Sequence, residues 1–406
     1  MRILLIHKFF RITGGNDLYF FETKRILESQ GHEVACLSTA DERNYPSAYS
    51  RYFVAAPVFR SRNPISRFSS IWKIVYSFEA KESVSKLISY FRPQVVQAFG
   101  IHSHVSPSVL DACRAARIPV ALSCNDYKHI CPNYKLYHHG RICFDCRKGK
   151  FYSAILNRCC HNSVQFSVAS SFEAYIHAWL NLLRKNVHTF LFSSEHMASV
   201  TRDFWCDRSF RWKKLPNPFH SPGHQISELS DDYLLFFGRL IEEKGVDILL
   251  KAMHLVPEAK LVVIGDGPQE RQLKNLATIL NLQNVEFVGP RWGEELDRFL
   301  KRTRFVVVPS VWHENSPYVI LQSFAVGKPV IGTNRGGIPE LIRDREFGMI
   351  YAAEDPEALA YSIRYLWTNP ARTREMGRAA KEFSDSQFND NKFYHELINI
   401  YEDMLK

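Results

Sequence analysis

The sequence has few cysteines and lacks any long apolar run. Nine cysteines in 406 residues are too few for a secreted scaffold built on disulfide bonds, and four of them crowd into one segment. No run of apolar residues approaches the roughly 20 that are needed to cross a bilayer. Residues 1–6 lack the charge pattern and the cleavage site of a signal peptide. These absences predict a cytoplasmic protein.

The length and the charge distribution predict two domains with different partners. A chain of 406 residues exceeds one ordinary domain and is long enough for two separate cores. Residues 1–220 contain 30 Lys and Arg against 15 Asp and Glu, a balance of +15, whereas residues 221–406 contain 22 against 27, a balance of −5. A basic half beside a mildly acidic half favours different binding partners for the two.

The most informative stretch covers residues 305–341. Its first four residues are apolar without interruption, which is typical of a parallel strand buried on both faces. Ser316 is suited to cap a helix that begins at Pro317, so Glu314 lies just before a helix N-terminus. A second strand and a pair of glycines follow, which gives two strand-to-helix turns at one sheet edge. This pattern predicts a phosphate site; the alternative is an ordinary βαβ unit with a solvated Glu314.

Arg239 and Lys244 lie five residues apart on one predicted loop of the second half. This half alternates buried strands with helices, and strand after strand ends in a glycine beside a charge. Arg239 can contact a diphosphate through two nitrogen donors, and Lys244 can contact it as a point charge. Each cation alone would be an ordinary surface residue. The flanking Gly238 and Gly245 favour a binding loop instead.

The first half also places candidate residues where ligands of open α/β sheets collect. A buried strand at residues 3–6 leads through Gly14 and Gly15 into a helix, so the backbone there can approach a ligand, although a plain tight turn explains the glycines almost as well. Asp126 follows a strand predicted at residues 120–124 and is a candidate acid or base. The alternative for Asp126 is a cap of a helix or loop.

A basic and aromatic run extends from Arg60 to Phe78. Cations alternate there with large apolar side chains in a pattern that suits a helix. The run predicts either a core-packed helix whose cations reach into solvent or a helix that lies on an anionic membrane surface.

Cysteines cluster between residues 131 and 161. Cys143 and Cys146 form a Cys-x2-Cys pair, and Cys159 and Cys160 follow at a distance that suits a zinc ribbon. The cluster predicts either a structural zinc site at these four cysteines or buried free thiols that serve packing.

Several motifs of the second half resemble the C-terminal domain of family four glycosyltransferases, and they cover most of residues 231–350. The motifs are Gly238-Arg239-Leu240 with Lys244-Gly245, Val263-Ile264-Gly265-Asp266-Gly267-Pro268, Phe287-Val288-Gly289, Glu314-Asn315-Ser316-Pro317 and Gly336-Gly337-Ile338-Pro339-Glu340. The first half is similar to the same family more loosely, through Gly14-Gly15, Asp126-Tyr127 and a cysteine-rich insert that one branch of the family carries.

The resemblance implies a GT-B fold, an α/β fold in which two Rossmann-like domains, each a doubly wound parallel sheet, face each other across a cleft. It implies an acceptor-side domain at residues 1–218 with the insert at 131–161, a nucleotide-sugar domain at residues 231–388, and a last helix at residues 389–406 that packs back toward the first domain.

By the same resemblance, the protein transfers a sugar from a nucleotide-diphosphate donor with retention at the anomeric carbon. The chemistry requires no metal and no cofactor besides this donor. The residue patterns and the resemblance together assign catalysis to Asp126, Arg239, Lys244 and Glu314. The implied donor-binding residues are Gly14, Gly15, Arg239, Lys244, Gly265, Val288, Glu314, Asn315, Ser316, Pro317, Tyr318 and Gln322.

The chain departs from the family pattern at Gln322, where the family has Glu, and at Asn125 and Phe99, where it has His. Two functions therefore stay open. The first is an active transferase of surface polysaccharide synthesis, which acts on a glycan or a lipid-linked acceptor at the inner face of the membrane. The second is a GT-B binding module that has lost activity and serves a partner enzyme. A nucleotide-sugar epimerase of the same fold is disfavoured by its different motifs, and nucleic acid is not an expected partner.

Overall fold

The computed structural model describes residues 1–56, 72–102, 104–220 and 231–406. The chain divides into two compact units. Unit 1 comprises residues 1–139, 143–218 and 390–406, and unit 2 comprises residues 140–142 and 219–389. Each unit contains a six-stranded sheet whose strands pair in parallel.

The sheet of unit 1 is built on short apolar strands. The side chains of residues 3–6 are fully buried, as a strand that is covered by helices on both faces requires. The strands in this part of the chain are β1 (Arg2–His7), β2 (Glu33–Leu37), β3 (Thr39–Ala40), β4 (Val54–Ala55), β5 (Val95–Phe99), β6 (Val120–Cys124), β7 (Tyr137–His138), β8 (Arg141–Ile142), β9 (Thr189–Phe192) and β10 (Trp212–Lys214). The large sheet has the order β10-β9-β6-β5-β1-β2, while β3 pairs with β4 and β7 with β8.

Helices alternate with these strands. The helix Phe78–Phe91 shows how the sequence defines their ends: the Ser77 hydroxyl accepts a hydrogen bond from the Ala80 N–H at its start, and Arg92 adopts a left-handed conformation at its end. The helices of unit 1 are Gly15–Ser29, Phe78–Phe91, Ser108–Ala115, Ser153–Leu156, Val164–Trp179, Glu195–Trp205 and Asp390–Leu405, with 3-10 turns at Ser50–Tyr52, Tyr127–His129 and Arg147–Gly149.

The last helix of the chain, Asp390–Leu405, belongs to unit 1. Its apolar side, which includes Leu397 and Tyr401, packs in the same core as Ile3 of β1. The Tyr401 hydroxyl donates a hydrogen bond to Oε1 of Gln97 in β5. Burial of these side chains and of this polar pair holds the chain terminus against the first sheet.

Unit 2 repeats the arrangement with a different strand order. Its strands are β11 (Leu234–Phe237), β12 (Leu261–Ile264), β13 (Val285–Gly289), β14 (Val306–Val308), β15 (Val330–Thr333) and β16 (Gly348–Tyr351). The order along the sheet is β13-β12-β11-β14-β15-β16. The helices of unit 2 are Val246–His254, Glu270–Ile279, Gly293–Arg302, Tyr318–Ala325, Ile338–Leu341, Pro356–Thr368 and Pro370–Gln387, with a 3-10 turn at Glu242–Lys244.

These two parallel sheets, each with its own core, confirm the predicted pair of Rossmann-like units. Other expectations need correction. β10, at the edge of the first sheet, has no counterpart among the predicted strands. The helix expected to begin at Pro317 begins at Tyr318, with Pro317 in the capping position and no side-chain cap.

The predicted basic and aromatic run lies largely outside the described residues, because the structure describes nothing at 57–71. Its last residues are described: residues 72–75 are helical, and Phe78 begins the next helix. In the described part of the chain, no helix has both the length and the apolar character that a bilayer span requires.

Candidate active site

Four loops of unit 2 meet at the carboxyl edge of its sheet. They follow β11, β12, β14 and β15 and cover residues 238–245, 265–269, 309–317 and 334–337. The strand order proceeds to one side from β11 through β12 and to the other side through β14, so this edge contains the switch point at which open α/β sheets bind ligands.

Backbone hydrogen bonds fix the loops relative to one another. The Leu240 N–H donates to the Asp266 carbonyl at 2.7 Å, which joins the first two loops. The Gly337 N–H donates to the Glu314 carbonyl at 2.7 Å, which joins the last two. The Val311 N–H donates to the Glu243 carbonyl at 3.0 Å, which joins the first loop to the third, so the four loops form one frame for the side chains they carry.

The central feature of this edge is an ion pair between Lys244 and Glu314. The two side chains are 70 residues apart in sequence, and Nζ of Lys244 lies 2.5 Å from Oε1 of Glu314. The Ser310 hydroxyl donates to the same oxygen at 2.8 Å. The Glu314 side chain is 8% exposed and that of Lys244 is 22% exposed. A buried carboxylate is thus held by a cation that still reaches solvent.

The surroundings keep Glu314 ionised. Burial raises the pKa of this carboxyl group. The charge and the hydrogen bond of Lys244, together with the hydrogen bond from the Ser310 hydroxyl, lower it by a larger amount, so the pKa lies below its ordinary value. Glu314 is therefore an acceptor of hydrogen bonds at neutral pH and cannot donate one.

Gly336 allows the close approach that positions Glu314. Its φ is +58°, and a Cβ atom added there would lie 2.1 Å from the Glu314 carbonyl oxygen. A side chain at this position would be strained by the backbone conformation and would also push Glu314 out of place.

We expect Gly336→Ala to damage this edge of the sheet. Displacement of Glu314 should lower the free energy of unfolding of unit 2 by about 2 kcal/mol or more. Gly293→Ala is the matched control, because Gly293 has a φ of +53° but no neighbouring atom within 4 Å of the added Cβ. Gly293→Ala should lower the free energy of unfolding only by the strain of an alanine in the left-handed conformation, about 1 kcal/mol. Thermal or urea unfolding measures both variants, and equal losses would contradict a steric role for Gly336.

Arg239 lies on the same loop as Lys244, immediately after Gly238. Its side chain is exposed, in contrast to that of Lys244. The predicted pair of cations therefore consists of one exposed arginine and one lysine that is paired with Glu314.

The other predicted donor residues occupy neighbouring positions. Gly265 opens the loop after β12, and its N–H donates to the Gly289 carbonyl at 3.1 Å. Val288 packs against the core of unit 2, so its side chain has a structural contact. The remaining predicted donor residues lie in the loop after β14 and in the helix Tyr318–Ala325, and all of them are partly or fully buried: Asn315, Ser316, Pro317, Tyr318 and Gln322.

In unit 1, Gly14 and Gly15 lie where the loop after β1 enters the helix Gly15–Ser29. The Gly14 carbonyl accepts hydrogen bonds from the Asp17 and Leu18 N–H groups, both at 3.1 Å. A Cβ added at Gly14 would meet no atom within 4 Å. Space therefore remains beside Gly14, while the start of the helix holds its carbonyl.

A buried His7–Asp17 pair that the sequence analysis missed anchors this loop. Nε2 of His7 lies 2.7 Å from Oδ1 of Asp17, and Nδ1 of His7 lies 3.0 Å from the Phe99 carbonyl. Thr13 donates to Oδ2 of Asp17 through its N–H and its hydroxyl. Burial raises the pKa of Asp17, but the hydrogen bonds from His7 and Thr13 hold it below its ordinary value.

Asp126 follows β6, as predicted, and its carboxylate has a local partner. Oδ1 of Asp126 accepts a hydrogen bond from the Lys128 N–H at 3.0 Å, which caps the 3-10 turn Tyr127–His129. This contact corresponds to the capping alternative for Asp126.

A cavity of about 570 Å³ lies within unit 1. Its polar lining includes His102, Lys128 and His177, and its apolar lining includes Phe151 and Trp205. His102 and Lys128 follow β5 and β6, so the cavity adjoins the carboxyl edge of the first sheet.

The cysteine-rich insert does not bring the four predicted cysteines together as a metal site. Among the described residues, the one group of three or more potential ligand atoms that all lie within 4.8 Å of one another belongs to His138, Cys143 and Asp145. Cys143 is the one member of the predicted set in this group, which excludes Cys146, Cys159 and Cys160. A search by cysteine spacing alone could not find the histidine and the aspartate. All nine cysteines lie in the described residues, and none of them forms a disulfide there.

Comparison with known proteins agrees with the geometry of unit 2. Residues 224–383 match the model of the family described as Glycosyl transferases group 1, so this segment belongs to that family. An uncharacterized glycosyltransferase of Methanocaldococcus jannaschii is 31% identical over 170 residues, which are 42% of this chain and 48% of that protein. The amylovoran biosynthesis glycosyltransferase of Erwinia amylovora is 29% identical over 179 residues, 42% of this chain and 44% of that protein. The chain spans about half the length of the curated relatives it matches.

Solved structures match the whole chain. Sucrose-phosphate synthase from Thermosynechococcus elongatus has a TM-score of 0.71 at 17% identity and covers 99% of this chain and 98% of its own. The HepE protein of Anabaena in complex with UDP-glucose has a TM-score of 0.66 at 17% identity and covers 99% and 100%. These likenesses concern the fold, and they confirm the predicted GT-B fold.

Proposed function

We propose that this chain, whose second unit contains a group 1 glycosyl transferase domain, transfers a sugar from a nucleoside-diphosphate sugar to an acceptor in surface polysaccharide synthesis. One observation carries the proposal: the ion pair of Lys244 with buried Glu314, beside exposed Arg239, at the switch point of the second sheet. The relative from Erwinia amylovora is named for amylovoran biosynthesis.

The two cations suit the leaving group. A nucleoside diphosphate gains negative charge as its bond to the sugar breaks, and fixed positive groups stabilise such charge. Arg239 is exposed and can contact two phosphate oxygens, while Lys244 supplies a point charge next to it. Backbone N–H groups at the start of the helix Tyr318–Ala325 add the positive end of a dipole. A structure of the similar HepE protein contains UDP-glucose, which is a donor of this class.

Glu314 then serves the sugar. Its ionised carboxylate accepts hydrogen bonds from donor hydroxyl groups, and its fixed position orients the ring above the cations. Neither Glu314 nor any other carboxylate is proposed as a nucleophile. We propose retention by front-face attack: the acceptor oxygen bonds to the anomeric carbon, the bond from that carbon to the diphosphate breaks, and the acceptor proton passes to the departing phosphate oxygen.

On the acceptor side we propose a glycan or a lipid-linked glycan. The cavity of unit 1 combines Lys128 and three histidines with aromatic walls, which suits a ligand that has both polar and apolar parts. Asp126, with one carboxylate oxygen already bound to the Lys128 N–H, is the proposed acceptor-side catalytic residue: it accepts a hydrogen bond from the acceptor hydroxyl and orients it while the proton passes to the departing phosphate. We propose that no metal takes part in the chemistry.

The alternative is a GT-B module without activity that serves a partner enzyme. Gln322, Asn125 and Phe99 favour it, because each replaces an ionisable residue of the family pattern. The retained Lys244–Glu314 pair favours activity, because burial of these charges costs desolvation free energy and a module freed from catalysis has little need of the two residues together. Release of nucleoside diphosphate from UDP-, GDP- and ADP-sugars separates the two: a transferase releases one of them, whereas binding without release from any donor would support the module.

We further propose that unit 1 docks on the cytoplasmic face of a membrane through the helix Val164–Trp179. This helix is reversed in polarity. Its buried side chains are polar, and its exposed ones form an apolar stripe at helical spacing. The buried residues are Ser167, Ser171 and Glu173, and the exposed stripe is Val164, Val168, Phe172, Tyr175 and Trp179.

Basic residues border this stripe. Ring contact between Phe151 and Tyr175, at 5.2 Å, joins the helix to the segment that contains the exposed Lys148 and Lys150. The Arg158 side chain is exposed in the same segment. An apolar stripe with aromatic residues and flanking cations fits an anionic lipid surface better than a protein partner.

Removal of two aromatic side chains should weaken this docking. The double variant Phe172→Ser with Trp179→Ser lacks both rings. Each ring would bury about 100 Å² of apolar surface in the membrane, at about 25 cal/mol per Å². Binding of the double variant to phosphatidylglycerol vesicles should therefore fall at least about tenfold. Ile279→Ser is the control, because Ile279 is 79% exposed but belongs to unit 2. Co-sedimentation measures all three proteins. Equal binding by the double variant, or binding that ignores salt and anionic lipid, would contradict the proposal.

A further inference from the structure

The cysteine-rich insert has little regular structure of its own. Between residues 131 and 161 it contains β7, β8, one 3-10 turn and the four-residue helix Ser153–Leu156. Several side-chain-bearing residues there adopt left-handed backbone conformations: Tyr134, Leu136, His139, Lys148, Arg158 and His161. Such conformations are unfavourable and persist where the surrounding structure enforces them. A cross-link would enforce them in this segment.

Three potential metal ligands converge in the insert. His138 ends β7, Cys143 follows β8, and Asp145 lies two residues further on. One ligand atom of each residue lies within 4.8 Å of the corresponding atoms of the other two. The Cys143 N–H donates to the Leu136 carbonyl at 2.8 Å, which fixes the approach of the cysteine to the first strand. The three residues come from both sides of one hairpin, so one ion bound by all three would join the two sides.

Neighbouring residues orient the aspartate. Nδ2 of Asn157 donates to Oδ2 of Asp145 at 2.9 Å, and the Ser153 hydroxyl donates to the Asp145 carbonyl at 3.1 Å. Outer hydrogen bonds to a ligating carboxylate are typical of metal sites in proteins. They also connect the helix Ser153–Leu156 and the residue after it to the hairpin.

We propose that His138, Cys143 and Asp145 bind one divalent zinc-like ion, with a fourth position for solvent. A nitrogen, a sulfur and an oxygen donor suit Zn²⁺, whereas Mg²⁺ and Ca²⁺ prefer oxygen ligands alone. The ion would hold the hairpin to the turn that follows it. This inference is independent of the proposed transfer reaction, because none of the three residues belongs to the edge of unit 2.

Metal titration of the full-length protein tests this ligand set. The reduced, chelator-treated protein is titrated with Co²⁺, whose thiolate absorption in the near ultraviolet reports a cysteine ligand, and then with Zn²⁺ as competitor. The expected result is one ion per chain. His138→Gln and Asp145→Asn should each weaken Zn²⁺ binding about tenfold or more, and Cys143→Ser should remove the thiolate absorption. Circular dichroism checks that the two conservative variants fold.

Two controls address the other cysteines. Cys206→Ser changes an exposed cysteine outside the insert, and Cys159→Ser changes a member of the set predicted by spacing. Both should leave the affinity and the absorption unchanged. No binding by the wild type would overturn the proposal. So would binding that survives in His138→Gln and Asp145→Asn but is lost in Cys159→Ser, because that result assigns the ion to the thiols alone.

Discussion

Glu314→Gln is expected to lower turnover of the nucleotide sugar about ten- to a hundredfold while leaving the affinity for the bare nucleoside diphosphate unchanged or higher. The amide keeps the shape of the side chain and one acceptor oxygen. It loses the charge-assisted hydrogen bonds to the sugar, which are each worth about 1.5 to 3 kcal/mol. It also releases Lys244 from its ion pair, so the ammonium group can turn fully to the diphosphate. Steady-state kinetics and calorimetry on the same preparations measure the two effects.

A loss of turnover without a loss of nucleotide affinity distinguishes this account from a structural role for Glu314. If the carboxylate served only to hold the loops, both quantities would fall together. Glu258→Gln is the matched control, because it makes the same change at a carboxylate of unit 2 that pairs with Arg364 before β12, away from the four loops, and it should leave turnover unchanged. A variant Glu314→Gln with wild-type turnover would contradict the proposed role of the carboxylate.

Arg239→Ala and Lys244→Ala are each expected to reduce nucleoside diphosphate affinity about ten- to a hundredfold, because each removes a charge-assisted contact. Their effects on stability should differ. Arg239 is exposed, so its loss should change the free energy of unfolding by less than about 0.5 kcal/mol. Loss of Lys244 leaves the buried carboxylate of Glu314 without its cation and should cost about 3 kcal/mol.

Lys251→Ala is the control for the removal of one positive charge from unit 2. Lys251 pairs with Asp247 on an exposed helix face, with both side chains more than two-fifths exposed. It should alter neither affinity nor stability measurably. Calorimetry with UDP, GDP and ADP and urea unfolding supply the two readouts. If both loop variants keep wild-type affinity, the diphosphate does not bind at this loop.

The sequence predicted the local elements of unit 2 well for a physical reason. Strands such as β12 and β14 are uninterrupted apolar runs, and glycines follow β12 and precede the helix after β15, so buried strands and turns are visible without the rest of the fold. β10 was missed because Trp212–Lys214 is short and mostly exposed, as an edge strand can be. The helix Glu195–Trp205 was also missed, although Ser194 caps it.

Contacts between distant residues could not be predicted in the same way. Lys244 and Glu314 were each selected from local patterns, but their ion pair depends on β11 and β14 being neighbours in the sheet. His7 and Asp17 were passed over, since a histidine at the end of an apolar strand has no local signal of its partner. In the insert, cysteine spacing pointed to thiols, whereas the hairpin brings His138 and Asp145 to Cys143.

Hydrogen exchange with and without saturating nucleoside diphosphate tests the central claim most directly, because it locates the ligand on the chain. We predict the strongest protection in the loops at residues 238–245 and 309–317, whose backbone frames Arg239, Lys244 and Glu314. Arg239→Ala should reduce this protection at a fixed nucleotide concentration. Protection confined to unit 1, or unchanged exchange in both loops while calorimetry shows the nucleotide bound, would contradict a donor site at the edge of the second sheet.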